Sequence, residues 1–447
     1  MNATILEQDE STVSGLADHG ASSRDAAGGS SRQQRKFILG VLGLVLIAGI
    51  FLRLSADLFE AGGSLESLRA LHPQPAFTGV GFDENLYRTY VTAVVQGGLT
   101  SYPDIVEHYI AVQRTLTGSI LPPMRFLYIF SGFAWHQVFG TEVLQSLHCV
   151  ASLFSILALL LCTTFAWRLK GAATALAVGA LLAFAPTQIH MSQHALVDGF
   201  FAVWAVLSLW LLWENLRAPR DWRWLLPFTV ALALMVTTKE NAAFVYIALS
   251  ALVIANRWLQ WGTVTRELLA CMFIGPLLGV VILVSLAGGV ETLLTTYKLS
   301  VSHNYQLVYA IKTGDGPWHR YVVDLLLVSP IVMLLAIGAA FRLDRAMKPE
   351  LFVAIFIGAS YLIMCNVKYA MNLRYANMWD MPLRLLAVTQ LALLLRPAAS
   401  RQRMWIMVAA VALICGYEIR QYVILAVKFP LYELVTEGLV RALHILK

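Results

Sequence analysis

Charge is what this chain has least of. Only 13% of its 447 residues are Asp, Glu, Lys or Arg, while 58% are hydrophobic, and soluble domains carry about twice that share of charge. With a mean hydropathy of +0.67, this excludes an ordinary soluble domain and predicts an all-α polytopic membrane protein. Cysteine is scarce as well. Cys149, Cys162, Cys271, Cys365 and Cys415 lie within or at the ends of apolar stretches. They show neither metal-ligand spacing nor a disulfide framework, so they read as small core residues. The net charge of +6 is no nucleic-acid signal, because Lys and Arg fall in short clusters between apolar runs, as the positive-inside rule expects.

Residues 1–36 have little aliphatic clustering and abundant Ser, Gly, Ala, Asp and Arg. Such a composition cannot bury enough apolar surface to fold, which predicts a disordered cytoplasmic tail. It ends in Arg32, Arg35 and Lys36, directly before an apolar run. A secretory signal carries its charges near the start and has a shorter apolar core, so 37–54 reads as a retained anchor. The further candidate spans are 142–167, 172–187, 197–213, 223–238, 241–256, 267–287, 321–341, 351–366, 375–396 and 404–424, which makes eleven. Segment 122–139, opening on Pro122-Pro123 and carrying Arg125, His136 and Gln137, is ambiguous. If it lies in the interface, every basic cluster from Arg168-Leu169-Lys170 to Arg396–Arg403 becomes cytoplasmic. That arrangement is adopted here.

One consequence follows without having been built in. His190, His194, Asp198, Lys239-Glu240-Asn241, His303, Lys368, Arg374 and the pair Asp83-Glu84 all fall on the outer side. Ionisable groups at the bilayer are retained for a function or a partner, so a one-sided set is an active-site pattern. Each member has a plainer reading. Asp-Glu in a helix's first turn complements the dipole and caps free amides. Lys239 could snorkel to the interface, and Asp198 could be an N-cap. Arg374-Tyr375 would serve as an interface anchor, and His303 could be solvated. His190 and His194 stand four apart, a spacing that suits zinc. They read more simply as interfacial histidines, because no Glu follows the first as a metalloprotease helix needs.

The order of motifs adds a family resemblance. Asp83-Glu84 with Tyr87 heads a helix ending at Gly97-Gly98, and Pro122-Pro123 opens an aromatic helix closing at Phe139-Gly140. Arg-Leu-Lys-Gly at 168–171, His194-Ala195-Leu196-Val197-Asp198, Thr238-Lys239, His303 before Pro317-Trp318, and Arg374-Tyr375 with Pro382 follow. From about 37 to 396 the chain resembles the GT-C glycosyltransferases of family 39 and their relatives, such as the protein O-mannosyltransferases and the enzyme that adds aminoarabinose to lipid A. The resemblance implies inverting transfer of one sugar from a polyprenyl-phosphate carrier to an acceptor at the outer face, with the first-loop carboxylate, here Asp83, as catalytic group. There are departures. The lipid A relatives carry a Glu-Lys pair where this chain has Thr117-Gly118-Ser119-Ile120-Leu121, so any role of that pair is not carried over. The protein mannosyltransferases have a large inserted domain, whereas loop 288–320 is short.

These readings divide the chain into the tail 1–36, a GT-C transmembrane module 37–396, and a C-terminal span with an amphipathic segment, 397–447. The module includes the first outer loop, 55–141, with juxtamembrane helices, and a second, lid-like loop, 288–320. Inverting transfer needs a base on the acceptor hydroxyl and cations facing the departing phosphate. Asp83 is the candidate base, with Glu84 orienting it, binding acceptor or only capping the helix. Lys239 and Arg374 are the candidate phosphate cations, followed by His303. Asp198, His194 and Tyr87 are placed around the donor. The scheme requires no cofactor and no metal, and leaves a divalent ion open. The expected partners are the lipid-linked donor, an acceptor lipid, glycan or protein, and the bilayer, with no nucleic acid. The expected location is a bacterial inner membrane. The alternative is a transporter or flippase of a lipid-linked sugar, against which stands the lack of an internal repeat. A scaffolding subunit leaves the one-sided charges unexplained.

Overall fold

The protein is described by a computed structural model covering residues 36–73, 79–368 and 371–435. Residues 1–35 of the expected tail, and Arg441 and Lys447 of the expected amphipathic end, lie outside the described residues. Every regular element among the described residues is helical, since in hydrocarbon a helix satisfies its own amides. The first apolar helix, α1, is Lys36–Phe51. Three helices follow outside the main bundle: α2 (Phe82–Gly97), α3 (Tyr102–Thr115) and α4 (Phe126–Phe139). The bundle proper runs through α5 (Val143–Lys170), α6 (Ala172–Ala183), α7 (Pro186–Ser192), α8 (Val197–Arg217), α9 (Trp222–Thr238), α10 (Ala242–Leu259) and α11 (Arg266–Leu286). Loop 288–320 is largely helical, with α12 (Val290–Asn304) and α13 (Val308–Thr313). The rest comprises α14 (Arg320–Val328), α15 (Pro330–Ala340), α16 (Lys348–Met364), α17 (Asp380–Leu394) and α18 (Ser400–Tyr422), the last continued by a π-helical turn to Lys428.

Each of the eleven expected spans coincides with a helix or a pair of helices. Among the described residues, five helices can cross a bilayer alone by length and composition: α5, α8, α10, α11 and α18 with its extension. A sixth span arises if α6 and α7 are taken together. Two spans expected to be continuous are broken, and proline is the cause. The residue before a proline is driven out of the helical region. Ala185 is extended (φ −65°, ψ 121°) before Pro186, where α6 and α7 bend by 60°. Ser329 (φ −134°, ψ 60°) parts α14 from α15 before Pro330. At α9 and α11 the opposite device is used. Gly275 and Gly279 let the backbones meet, because a Cβ there would come within 2.8 Å of the Thr229 carbonyl and 2.7 Å of the Ala233 carbonyl. Phe273, Leu277 and Val281 of α11 remain exposed, an apolar face suited to lipid.

The two ends of the bundle are chemically distinct. At one end Arg168 binds Glu214 (Nε–Oε1 2.7 Å), Lys170 binds Glu350, and Lys348 donates to the Gln260 carbonyl (2.8 Å). The other end holds Asp83, Glu84, Asp198, Lys239 and Arg374. The contact between Glu84 and the Ala195 amide (2.7 Å) puts the first loop and the α7–α8 turn at the same end. Between them lie α5 and the bent pair α6–α7, each long and apolar enough for a span. Fourteen residues of α4 reach only about 21 Å, short of a hydrocarbon core of about 30 Å. Its Tyr128 and Ile129 instead join Tyr87, Tyr102, Tyr109 and Phe200 in a separate aromatic core between α2, α3, α5 and α8.

Candidate active site

The site is built on helix ends. In the first turn of α2, Glu84 is 2% exposed. Its Oε2 accepts from the Gly81 amide (2.8 Å), closing a capping box, while Oε1 accepts from the Ala195 amide (2.7 Å). His148 Nε2 (3.4 Å) and His194 Nδ1 (3.5 Å) approach the same oxygen. Burial pushes the Glu84 carboxyl up, but the hydrogen bonds from His148 and His194 outweigh it and hold it well below the usual carboxylate range. Of the three roles expected for Glu84, the structure provides the cap, and its oxygens are taken up by bonds that fasten α2 to the α7–α8 turn. His194 lies in that same fastening rather than on the cationic cluster.

Asp83, one residue earlier, projects to a different environment and stays partly exposed, at 19% of its side chain. Its Oδ2 accepts from Arg374 Nη1 (2.9 Å). Arg374 lies in a 3-10 turn, Leu373–Trp379, that Asn372 starts by accepting from the Arg374 amide (2.9 Å). Arg374 Nη2 meets Glu433 Oε1 (3.1 Å), and Nε faces Asp198 Oδ2 at 3.8 Å, beyond hydrogen-bond distance. Asp198, in the first turn of α8, binds Lys239 through its other oxygen, and the Lys239 ammonium sits 3.8 Å from the centre of the Tyr375 ring. Burial pulls the Lys239 pKa down against the pull of Asp198. Burial also depresses Arg374, but Glu433, Asp83 and Asp198 overcome it and raise its pKa. The expected set Asp83, Asp198, Lys239 and Arg374 thus converges on one network, drawn from four separate stretches of chain.

A second ion pair adjoins it. Arg125, at the start of α4, forks onto Glu240 (Nη2–Oε1 2.6 Å, Nε–Oε2 3.4 Å) and donates to the Tyr87 hydroxyl (2.5 Å). Tyr87 is completely buried, and burial raises its pKa well above the usual phenol range, so it stays a neutral hydroxyl. It holds Arg125 from beneath. His303 is placed elsewhere. Its Nδ1 meets Gln113 Nε2 of α3 (2.9 Å), which ties α12 to α3. Lys368 is exposed. His190 Nε2 meets the Tyr432 carbonyl (2.8 Å), which removes that nitrogen from the zinc pairing that the i, i+4 spacing suggested. Among the described residues no three His, Cys, Asp or Glu side chains are grouped to hold a metal.

Two residues were missed by the sequence reasoning as site members. Glu433 reaches Arg374 from beyond the last helix, and Asn372 donates to its other oxygen (2.9 Å). Burial raises its pKa against the pull of Arg374. The available signal was an acidic residue set among Leu431, Tyr432, Leu434 and Val435 in a segment that reads as an amphipathic end. Arg125 stood in the ambiguous run 122–139, and its partner Glu240 directly follows Lys239. An arginine and a carboxylate at the same end of the bundle were the signal for that pair.

Comparison with known proteins follows the same outline. A family model described as dolichyl-phosphate-mannose-protein mannosyltransferase matches residues 96–298. No curated protein matches the chain in sequence. In structure, the chain is similar to ArnT from Cupriavidus metallidurans in the apo state (TM-score 0.51, 15% identity), over 86% of this chain and 63% of that one. ArnT bound to undecaprenyl phosphate gives TM-score 0.51 at 15% identity, over 86% and 64%. Archaeoglobus fulgidus oligosaccharyltransferase AglB, in complex with an inhibitory peptide and a dolichol-phosphate, gives TM-score 0.53 at 13% identity, over 88% and 56%. The chain therefore spans less than two thirds of each of these proteins.

Proposed function

From the GT-C fold that this chain shares with ArnT and with an archaeal oligosaccharyltransferase, we propose that it is a membrane glycosyltransferase. It moves a sugar from a polyprenyl-phosphate donor to an acceptor hydroxyl at the outer face of a bacterial inner membrane. The observation that carries this reading is Arg374. A buried guanidinium is held 2.9 Å from the partly exposed Asp83, with the Lys239 ammonium joined to it through Asp198. Two of the similar structures are complexes with undecaprenyl phosphate and a dolichol-phosphate, which supports a lipid phosphate as the ligand.

In this scheme Asp83 takes the proton of the acceptor hydroxyl. The acceptor oxygen bonds to the anomeric carbon from the face opposite the phosphate, the bond from that carbon to the phosphate oxygen breaks, and its electron pair leaves on the phosphate. Inversion follows from the single displacement. Arg374 and Lys239 face the charge that accumulates on the phosphate, and as prearranged donors they need no reorganisation at that moment. Arg374 can offer two parallel N–H bonds and Lys239 a compact point charge. Asp198 positions Lys239, and Tyr87 and Glu240 position Arg125. No step requires a metal.

The test is a transfer and donor-hydrolysis assay on purified protein with a panel of polyprenyl-phosphate sugars, run beside Arg374→Gln. Sugar release or transfer by the wild type, lost in the variant together with lipid binding, supports the reading. Saturable lipid binding without turnover across the panel, with acceptors present, would instead favour a transporter.

A further inference from the structure

Three carboxylates surround Arg374. Its Nη1 is on Asp83 and its Nη2 on Glu433, while its Nε faces Asp198 at 3.8 Å and has no hydrogen-bond partner among the described residues. A phosphate that takes two parallel N–H bonds from this guanidinium must use at least one terminal nitrogen, and so displaces Asp83 or Glu433. Asp83 and Asp198 are fixed in the first turns of α2 and α8, and Asp198 is further held by Lys239. Glu433, which also accepts from Asn372, lies outside any helix, on the strap 429–435 that follows the π-helical turn.

Charge favours the departure of one carboxylate. Arg374, Lys239 and Arg125 stand against Asp83, Asp198, Glu240 and Glu433, so the set carries one acidic group in excess. An arriving phosphate adds to that excess unless a carboxylate leaves, and of the two on the terminal nitrogens of Arg374 only Glu433 lies outside a helix. The strap also covers a pocket whose walls include Thr187, His190, Asn372, Asn377 and Leu434. His190 Nδ1 and Asn377 Nδ2 are buried in its walls without a hydrogen-bond partner among the described residues. Unsatisfied buried polar atoms are rare in native proteins, and hydroxyl groups would satisfy both.

We propose that Glu433 occupies the position of the donor's phosphate, and that the pocket beneath the strap receives the hydroxyls of a sugar once the strap is displaced. The inference rests on the reading of Arg374 as the phosphate cation and adds the group that competes for it. Binding then carries the penalty of the closed state: the apparent affinity is lowered by the fraction of molecules whose strap is open.

The experiment uses full-length protein in detergent with undecaprenyl phosphate as the probe. Glu433→Gln keeps the size and the Asn372 contact but removes the competing charge. With the open state at 1–10% of the population, as for typical minor states, it should bind the lipid about 10- to 100-fold more tightly than wild type. Independently, Leu434→Cys should be protected from a charged thiol reagent without lipid, since Leu434 is buried. It should label faster at saturating lipid. If Glu433→Gln binds no tighter than wild type, or the protection of Leu434→Cys is unchanged by lipid, the strap does not compete with the donor and the inference is overturned. Arg374→Gln separates the two failures. Loss of lipid binding in that variant leaves the phosphate assignment standing whatever the strap does. Wild-type lipid binding by Arg374→Gln removes the phosphate assignment and the strap proposal together.

Discussion

Replacing Glu84 by Gln removes one oxygen acceptor from a carboxylate that uses both. In the native protein Oε2 accepts from the Gly81 amide at 2.8 Å and Oε1 from the Ala195 amide at 2.7 Å. A glutamine has one carbonyl oxygen and one NH₂ group, so one of the two buried amides must face a donor. The loss is one charge-assisted hydrogen bond plus the desolvation of an unpaired amide, together about 3 kcal/mol. The damage lands on the joint between α2 and the α7–α8 turn, and those elements carry Asp83 and Asp198. A misplacement of about 1 Å between reacting groups can cost about 10²-fold in rate, so Glu84→Gln should lower both thermal stability and turnover although it contacts no reacting atom. The pH dependence has a definite sign. The folded carboxyl is held below its ordinary value of 4.5, so its contribution is fully present above about pH 4.5. It fades as the pH falls below that, because the unfolded chain then takes up the proton first. The stability gap between wild type and Glu84→Gln, measured by thermal unfolding in detergent, should narrow below pH 4.5 and also as rising pH removes the proton from His148, 3.4 Å from the Glu84 carboxylate. A variant with wild-type melting temperature and turnover at pH 7 would refute this account of Glu84.

Two further substitutions follow from the same contacts. Lys239→Met strands the buried Asp198 carboxylate and should destabilise by about 3–5 kcal/mol. Adding Asp198→Asn should recover much of the stability but none of the turnover, and a double-mutant cycle on melting temperature and activity separates the two. At Gly81 the backbone conformation (φ −62°) suits any residue, yet a Cβ there would run into the Tyr432 ring. Gly81→Ala should therefore loosen the C-terminal strap while leaving α2 intact, read as faster thiol labelling of Leu434→Cys without lipid.

Much of the site was legible because ionisable groups are so few in an apolar chain. Asp83, Asp198, Lys239 and Arg374 stood out once alternating span ends sorted them onto one side, and the structure brings these four into contact. What the sequence could not show was which neighbour each group would meet. Glu84 looks like a second catalytic carboxylate beside Asp83, but successive residues on a helix point about 100° apart, and its side chain turns into the α7–α8 joint. His303 has the right chemistry on the right loop but is held by Gln113. Glu433 was lost in a segment that reads only as amphipathic, since nothing local shows that the chain folds back onto Arg374. For the fold, apolar runs located the helices, but the breaks at Pro186 and Pro330 followed from local steric rules that run length alone ignores. The placement of α4 outside the count of crossings came from charge alone.

The most direct measurement compares wild type with Asp83→Asn for sugar transfer and for lipid binding on the same preparation. Asparagine keeps the size of the side chain and can still accept from Arg374, but cannot take a proton from an acceptor hydroxyl. The expected result is affinity for the polyprenyl-phosphate donor retained or raised, since one charge facing Arg374 is removed, with turnover down by about 10²–10⁴-fold, the usual worth of a general base. Undiminished turnover in Asp83→Asn would contradict the account and remove this carboxylate from the chemistry.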